Sequence, residues 1–582
     1  MVMKNKKNPS GQTEGATDTR LREDADTARA DGLLREAADT ARTDGLLREA
    51  ADTARADGLL REAADTARTD GLPGDSTDTT DTGLADGLFW ETMDAVQPDE
   101  MAGEGPDTMQ AEEMLQEALE QEEAKSRQLF EEMPVAKALA VMAVPTVISQ
   151  LIVLVHNMAD TFYIGRTNNP YMVAGAALIL PIFNVCIAVA NIAGTGGGTL
   201  IARLMGADQP AKARRVASFS VWFSVFTGLL FAVLTGIFMR PLLTVLGASD
   251  QTFEFARQYC TTVIVIGATP TIAAMTMGNL LRNTGCSKQA GFAISMGAVI
   301  NIILDPIFMF VLLPPGNEIL GAGIATTLAN TITCTYFIIL IIRLKNPILH
   351  FSLLEGLPEA ALMASFFGVG IPAAMGPFLF DLDYIVLDRL MAAHSDIALA
   401  AIGIVLKVER LPLNVGIGLC LGMVPLAAYN YSAGNLPRMD AVLRAARNAG
   451  IAISIGSIIL YELFAPFLMR FFIDDPATVA LGSDFLRIRV LATIMMFLSF
   501  IYVYFFQALG RGRIALFLVI MRWLMINIPM LFLMDLLFGL YGLAWSQLVS
   551  DVIVALLSWL IYHSYRKKHI LTTMTNVGNR TS

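Results

Sequence analysis

The sequence predicts an all-α, polytopic membrane protein of twelve transmembrane helices, arranged as two pseudo-symmetric lobes of six around a central cavity. Three observations carry this: the chain is 54% hydrophobic and 16% charged with mean hydropathy +0.53, its apolar residues fall in runs of about 20, and its two halves share an ordered set of prolines and glycines. A soluble chain of 582 residues is rarely so apolar.

The runs begin at Ala136 and fall near 136–163, 172–200, 214–239, 253–281, 289–313, 320–343, 360–391, 396–430, 440–469, 482–509, 514–536 and 540–564. Their count is even, so both ends of the chain are expected on one side. Loops after the even-numbered spans carry Arg203, Lys212, Arg214, Arg215, Arg282, Lys288, Arg343, Lys345, Arg438, Arg444, Arg447, Arg511 and Arg513, and the C-terminal end carries Arg566, Lys567 and Lys568. The other loops hold mainly Arg166, Arg240, Arg389 and Arg470. The positive-inside rule places the first set, and both termini, in the cytoplasm, with the protein in the plasma (inner) membrane.

Laid side by side, the halves match Pro145 with Pro372, Pro210 with Pro437, Gly285 with Gly510, Pro306 with Pro529 and Gly321 with Gly542. The offset drifts only from 227 to 221. Six helices per repeat give both halves the same orientation, an architecture suited to alternating access. The domain reading is a tail over 1–132, a first lobe over 133–345, a cytoplasmic linker over 346–358, a second lobe over 359–566 and a cytoplasmic tail over 567–582.

The N-terminal 132 residues are acidic and of low complexity, and they hold most of the net charge of −11. No apolar core follows Lys4, Lys6 and Lys7, so no signal peptide is visible. A 13-residue repeat begins at Asp31, Asp44 and Asp57. At about 100° per residue, thirteen positions turn each leucine pair by about 220°, so no continuous apolar stripe forms. A largely disordered spacer is expected, with Thr108 to Met133 able to form an acidic amphipathic helix leading into the membrane. Cys186, Cys260, Cys286, Cys334 and Cys420 are scattered singly and read as core residues.

No G-x-x-x-x-G-K-[ST] loop occurs, so any transport must draw on an ion gradient. No nucleophile with a base, no metal cluster, no cofactor fingerprint and no nucleic-acid signature is visible; enzyme chemistry is not expected, and the coupling ion, H+ or Na+, stands where a cofactor would. Ionisable groups inside a membrane are costly and usually have a task. Asp160 lies in the first span and Asp305 in the fifth, where Asn301 is one turn away on the same face. Such a constellation can exchange a proton or hold a hard cation. His156, one turn before Asp160, is placed to tune its proton affinity.

The second half has no acid at Leu524 to Ile528, the counterpart of 301–305, so a single, asymmetric ion site is expected. Asp381 and Asp388 share a face of the seventh span and, with Glu409 of the eighth, form a candidate substrate or second charge site; Asp383 points elsewhere. Glu409 is expected to be neutralised by Lys407 and Arg410, and Arg522 is ambiguous. The Gly194–Gly198 cluster is expected to serve close helix packing rather than phosphate binding.

Val144-Pro145, Asn157 to Gly165, Gly194-Thr195-Gly196-Gly197-Gly198, Asn301 to Pro306 and Gly323 to Thr326, in this order and spacing, resemble the multidrug and toxic compound extrusion (MATE) family. Pro425 to Gly434 (PLAAYNYSAG) is most similar to its DinF branch and the MepA-like exporters there. The resemblance runs from about Pro134 to His563. It implies an exporter that exchanges protons or sodium for amphipathic, often cationic, small molecules, with Asp160, Asn301 and Asp305 as the cation site, Thr326 as its hydroxyl, and Pro145 as the place where the first helix bends. A monomer is expected. A lipid-linked saccharide flippase of related architecture, and a membrane anchor for a partner of the tail, are the alternatives.

Overall fold

The computed structural model describes residues 127–344, 348–349 and 356–570. Most of the N-terminal tail with its repeats and most of the amphipathic segment from Thr108, most of the interlobe linker and residues 571–582 lie outside the described residues. Among the described residues, regular structure is helical throughout. A segment surrounded by lipid must satisfy its own backbone hydrogen bonds, which leaves helices as the local solution for these apolar runs.

Nine unbroken helical runs are long and apolar enough to cross a bilayer, and two further spans are helix pairs bent by 49° and 47°. One run, Gly512–Lys568, has 57 residues, about twice what a bilayer needs. It is interrupted at Gly539, whose φ of 59° and ψ of −142° are non-helical. Divided there, it supplies two spans and brings the total to twelve.

The spans are α1 (Val135–Gly165), α2 (Pro170–Gly206), α3 (Pro210–Ile237), α4 (253–283), α5 (Ser287–Leu312), α6 (Glu318–Arg343), α7 (Ala360–His394), α8 (Asp396–Ser432), α9 (Leu436–Arg470), α10 (476–508), α11 (512–538) and α12 (540–565). Helix starts follow local chemistry. Pro170, Pro210, Pro437 and Pro476 occupy first-turn positions, where a missing N–H costs nothing. Asn169, Ser395, Asn435 and Asp475 accept hydrogen bonds from the first free backbone N–H groups.

The repeat seen in the sequence is a repeat in space. Pro145 and Pro372 lie inside α1 and α7. Gly285 and Gly510, with φ of 95° and 72°, turn the chain between the fourth and fifth helix of each lobe. The two bent spans are the fourth of each lobe as well.

The lobes are joined at one end. We call it the basic face, because the loops after α2, α4, α8 and α10 lie there with their arginines. A single apolar core at this end unites Leu139 and Met142 of α1 and Ala202 of α2 with Met423 and Leu426 of α8, Leu443 of α9 and Phe506 of α10. At the other end each lobe has its own core: Ile164, Ile182, Tyr259 and Met309 in the first, Leu387, Val405, Tyr461 and Phe485 in the second. The molecule is therefore closed at the basic face, with separate lobe cores beyond it.

Glycines make that closure possible. A Cβ on Gly422 or Gly418 of α8 would lie 2.5 Å or 2.7 Å from the backbone of Ala143 or Val147 in α1, and one on Gly370 of α7 would lie 2.4 Å from Ile192 O in α2. So α1 meets α8 as α7 meets α2, the exchange expected of two related halves. The 194–198 cluster packs as expected from its small residues: Gly194 and Gly198 receive Asn279 and Asn283 of α4, and Gly196 faces Phe366 and Gly370 of α7.

Gly422→Leu should force α1 and α8 apart at the basic face. Overpacking of this kind costs about 1–3 kcal/mol, and thermal unfolding of the purified protein should show a lower midpoint than the parent, whereas Gly456→Leu, where nothing lies within 4 Å, should leave it unchanged.

Candidate functional site

Five residues singled out in the first half converge, and a sixth joins them. Asp305 of α5 is fully buried and Asn301, one turn earlier, is buried beside it. The Asp305 carboxyl lies beside the Asp160 carboxyl of α1. Two carboxylates this close repel one another when both are ionised, which favours a proton shared by the pair. Tyr259 of α4 directs its hydroxyl at Asp160 Oδ2 from 3.5 Å.

Asn301 organises the rest. The orientation that satisfies its whole amide has the nitrogen donating to His156 Nδ1 at 2.7 Å and Asp305 Oδ2 at 3.1 Å, with the oxygen 3.2 Å from Thr326 Oγ1. Thr326 in turn donates to Ala322 O at 3.0 Å. His156 thus accepts through Nδ1, which fixes a neutral imidazole with its proton on Nε2. Asp160 Oδ1 and Asp305 Oδ1 are buried without a protein partner. The centre therefore contains two carboxyls with unsatisfied oxygens, a neutral histidine, and neutral donors.

The second lobe adds one group and corrects one expectation. Leu524 to Ile528 contains no acid, but Asn527 lies in that stretch and donates to both oxygens of Asp383 of α7, at 2.7 and 2.8 Å. Asp383, 1% exposed, forms with its neighbours a buried polar centre that the missing acid had concealed. Glu409 is matched neither by Lys407 nor by Arg410, both exposed. Its partner is Arg489 of α10, bidentate at 2.7 and 3.0 Å, while Arg410 lies over the Phe380 ring at 5.8 Å. Arg522 of α11 pairs with Asp551 of α12 at 2.7 Å, Ser499 accepts from the same guanidinium, and Gln547 donates to Asp551 at 2.8 Å.

Asp381 and Asp388 are not drawn into one site with Glu409. Asp381 accepts from Asn184 of α2 at 2.5 Å, a link between the lobes, and Asp388 keeps a buried oxygen without a partner. Tyr259, Arg489, Asn527 and Asp551 escaped the sequence reading. Asp551 had the clearest signal, an acid in the middle of an apolar run; the other three needed partners from distant helices to become visible.

Twelve helices in two lobes, with a buried polar centre in each and ionisable groups deep in the apolar body, are the architecture of a membrane transporter. A model of the MatE family matches residues 145–307 and again 372–533, one match per lobe. The chain belongs to this family, the multidrug and toxic compound extrusion transporters. It is 32% identical over 450 residues to the multidrug export protein MepA of Staphylococcus haemolyticus, covering 76% of this chain and 97% of that one. Identity to MepA of Staphylococcus aureus strain N315 is 29% over 456 residues, 77% and 98% of the two chains.

Among solved structures, a multidrug resistance MATE family transporter of the MOP superfamily in an outward-facing conformation aligns with TM-score 0.72 at 21% identity, over 78% of this chain and 99% of that one. A MOP superfamily transporter from Pyrococcus furiosus aligns with TM-score 0.70 at 22% identity, over 76% and 99%. At such identities the likeness concerns the fold, and it is the two-lobed fold described above.

The Glu409–Arg489 pair yields a stability test. Arg489→Met should cost about 3–5 kcal/mol by stranding a buried carboxylate, and adding Glu409→Leu should recover most of the loss in thermal unfolding of the purified protein; equal instability of single and double variants would show that the pair is not an independent unit.

Proposed function

We propose that this multidrug efflux transporter exports amphipathic, cationic small molecules by antiport with protons, and that Asp160 and Asp305 are the groups that carry the exchange. The observation that carries the reading is the placement of the two carboxyls side by side among neutral neighbours, Asp305 fully buried, an arrangement that favours one shared proton over two charges. Removing that proton leaves two negative charges in a medium where uncompensated charge is costly. Either a returning proton or a cationic substrate relieves the cost. Competition of two cations for one buried negative centre is the simplest physical basis of antiport.

Turned so that its nitrogen faces Asp305, Asn301 suits H+; turned so that its nitrogen donates to Thr326 Oγ1 at 3.2 Å, it would offer its oxygen to Na+. A bound sodium ion would be held by converging oxygens, whereas the satisfied amide turns its nitrogen, not its oxygen, toward Asp305. Were Na+ to bind, Asp160, Asp305 and Thr326 would supply the oxygens after the amide rotated. His156 shares the donor of Asp305 through Asn301 and so tunes the dyad. Pro145, which removes one helical hydrogen bond, is the proposed bending point of α1, about 22 Å along the helix from Asp160.

The lipid-linked saccharide flippase reading calls for cationic groups to hold pyrophosphate. Arg489 and Arg522 of the second lobe are instead committed to Glu409 and Asp551. The anchor reading loses ground because the transporter relatives align over nearly their whole length without the tail. The basic face is proposed to be cytoplasmic, in the plasma membrane, and the protein to act as a monomer.

The test uses vesicles containing the full chain and an aromatic monocation dye. An imposed pH gradient should drive uphill dye movement in the parent, and Asp160→Asn or Asp305→Asn should lower it by more than about tenfold, about 1.4 kcal/mol in the driving interaction. A sodium gradient at constant pH should drive none. Uphill movement with sodium alone would overturn the choice of ion, and undiminished pH-driven movement in both variants would overturn the role of the dyad.

A further inference from the structure

Just before α1 the chain makes a single wide helical turn, Gln128–Glu132. Leu129 and Phe130 are buried there, Phe130 completely. This turn is joined covalently to the first lobe through Pro134 and α1, yet its hydrogen bonds run to the second. Phe130 O accepts from Arg438 Nε of α9 at 2.7 Å and from Asn430 Nδ2 of α8 at 3.1 Å. Arg438 Nη2 donates to Met133 O at 2.5 Å, and the Tyr429 hydroxyl donates to Glu131 Oε1 at 2.7 Å. The Phe130 ring stacks on Tyr429 with centroids 4.7 Å apart and planes 16° from parallel.

On its other side the hook meets the first lobe. A Cβ on Gly285, in the α4–α5 turn, would lie 3.3 Å from Leu129 Cδ2 and 3.4 Å from Phe130 Cε2. The two apolar side chains are thus wedged across the lobe seam, within the shared core of the basic face. One arginine answering three backbone carbonyls, those of Leu129, Phe130 and Met133, and an asparagine answering one of them again, is a built receptor for a short peptide. An ordinary lead-in to a transmembrane helix needs none of this.

We propose that residues 128–133 are a latch that holds the basic face closed, docking between the lobes only when α1 and α8 are in contact. Alternating access requires this seam to part, and when it parts the receptor on α8 and α9 moves away from the Gly285 turn and from the start of α1. The hook must then leave either its receptor or its own lobe, so its docking energy favours the closed face alone. Residues 1–126 precede the hook directly in the sequence.

The experiment measures reactivity of one thiol in the seam. In full-length protein with the five natural cysteines replaced by serine or alanine, Ala202→Cys places a thiol in the closed core, where Ala202 is 0% exposed. Its alkylation by a membrane-impermeant maleimide applied from the basic face reports opening. Phe130→Ala, and separately deletion of residues 1–132, should each raise the rate about tenfold or more, the effect of shifting a two-state equilibrium by about 1.4 kcal/mol. Deletion of residues 1–126, which keeps the hook, should leave the rate within about twofold of the parent. Unchanged reactivity in monodisperse Phe130→Ala protein overturns the proposal, and so does an equal rise with the hook intact. Because the assay needs no gradient, it fails or succeeds independently of the antiport reading.

Discussion

Two carboxyl groups side by side, Asp305 fully buried and Asp160 partly so, set the terms for the first lobe. A single buried acid can be satisfied by neutral donors and kept as a structural group. A pair cannot be ionised together at a tolerable cost, and its charge state must therefore be settled by something that comes and goes. Every neighbour found around Asp160 and Asp305 is neutral: Tyr259, Asn301, Thr326, and a histidine whose Nδ1 accepts a hydrogen bond. Among the described residues no arginine or lysine forms an ion pair with either acid.

The second lobe solves the same problem by the opposite means. Glu409 has Arg489, Asp551 has Arg522 and Gln547, and Asp383 has both donors of Asn527. Fixed cations stand beside two of the second-lobe acids, where the first-lobe pair has neutral neighbours. Buried ion pairs contribute little net stability against apolar packing, but breaking one is costly, so such a lobe resists changes of charge state. Duplication supplied the same helices twice; the distribution of arginine made one copy responsive and the other rigid.

What could be read from the sequence follows from which constraints are local. The bilayer acts on each segment separately, so composition alone placed all twelve spans. Proline and glycine act on the backbone where they stand, and the matches of Pro145 with Pro372 and Gly285 with Gly510 survived as matched helix interiors and matched turns. Asp160 and Asp305 were conspicuous because acids are rare in such surroundings. Pairing between helices is a different matter. Nothing near Glu409 in the chain announces Arg489, eighty residues away, and the nearby Lys407 and Arg410 offered a false local answer. Tyr259 looks like any aromatic residue in an apolar helix until its hydroxyl is seen to face an acid. Leu524 to Ile528 was judged by its lack of a carboxylate, although the amide of Asn527 was the informative group.

Between the dyad and the seam runs one helix. Asp160 sits near one end of α1, and the other end is enclosed by glycine contacts on two sides: a Cβ on Gly291 of α5 would lie 2.7 Å from Pro145 O, and those on Gly418 and Gly422 of α8 would meet Val147 and Ala143. Interiors packed this closely switch between discrete arrangements rather than deform smoothly. A change of charge at Asp160 that shifts α1 must therefore either be absorbed where Pro145 weakens the helix or be passed to α8, and α8 belongs to the other lobe. The same stretch of α8 ends in Tyr429 and Asn430, the residues that grip Phe130. The carboxyl pair, the proline, the glycine seam and the N-terminal hook thus lie along one mechanical line, in which the buried acids and the closure of the basic face are ends of a single element.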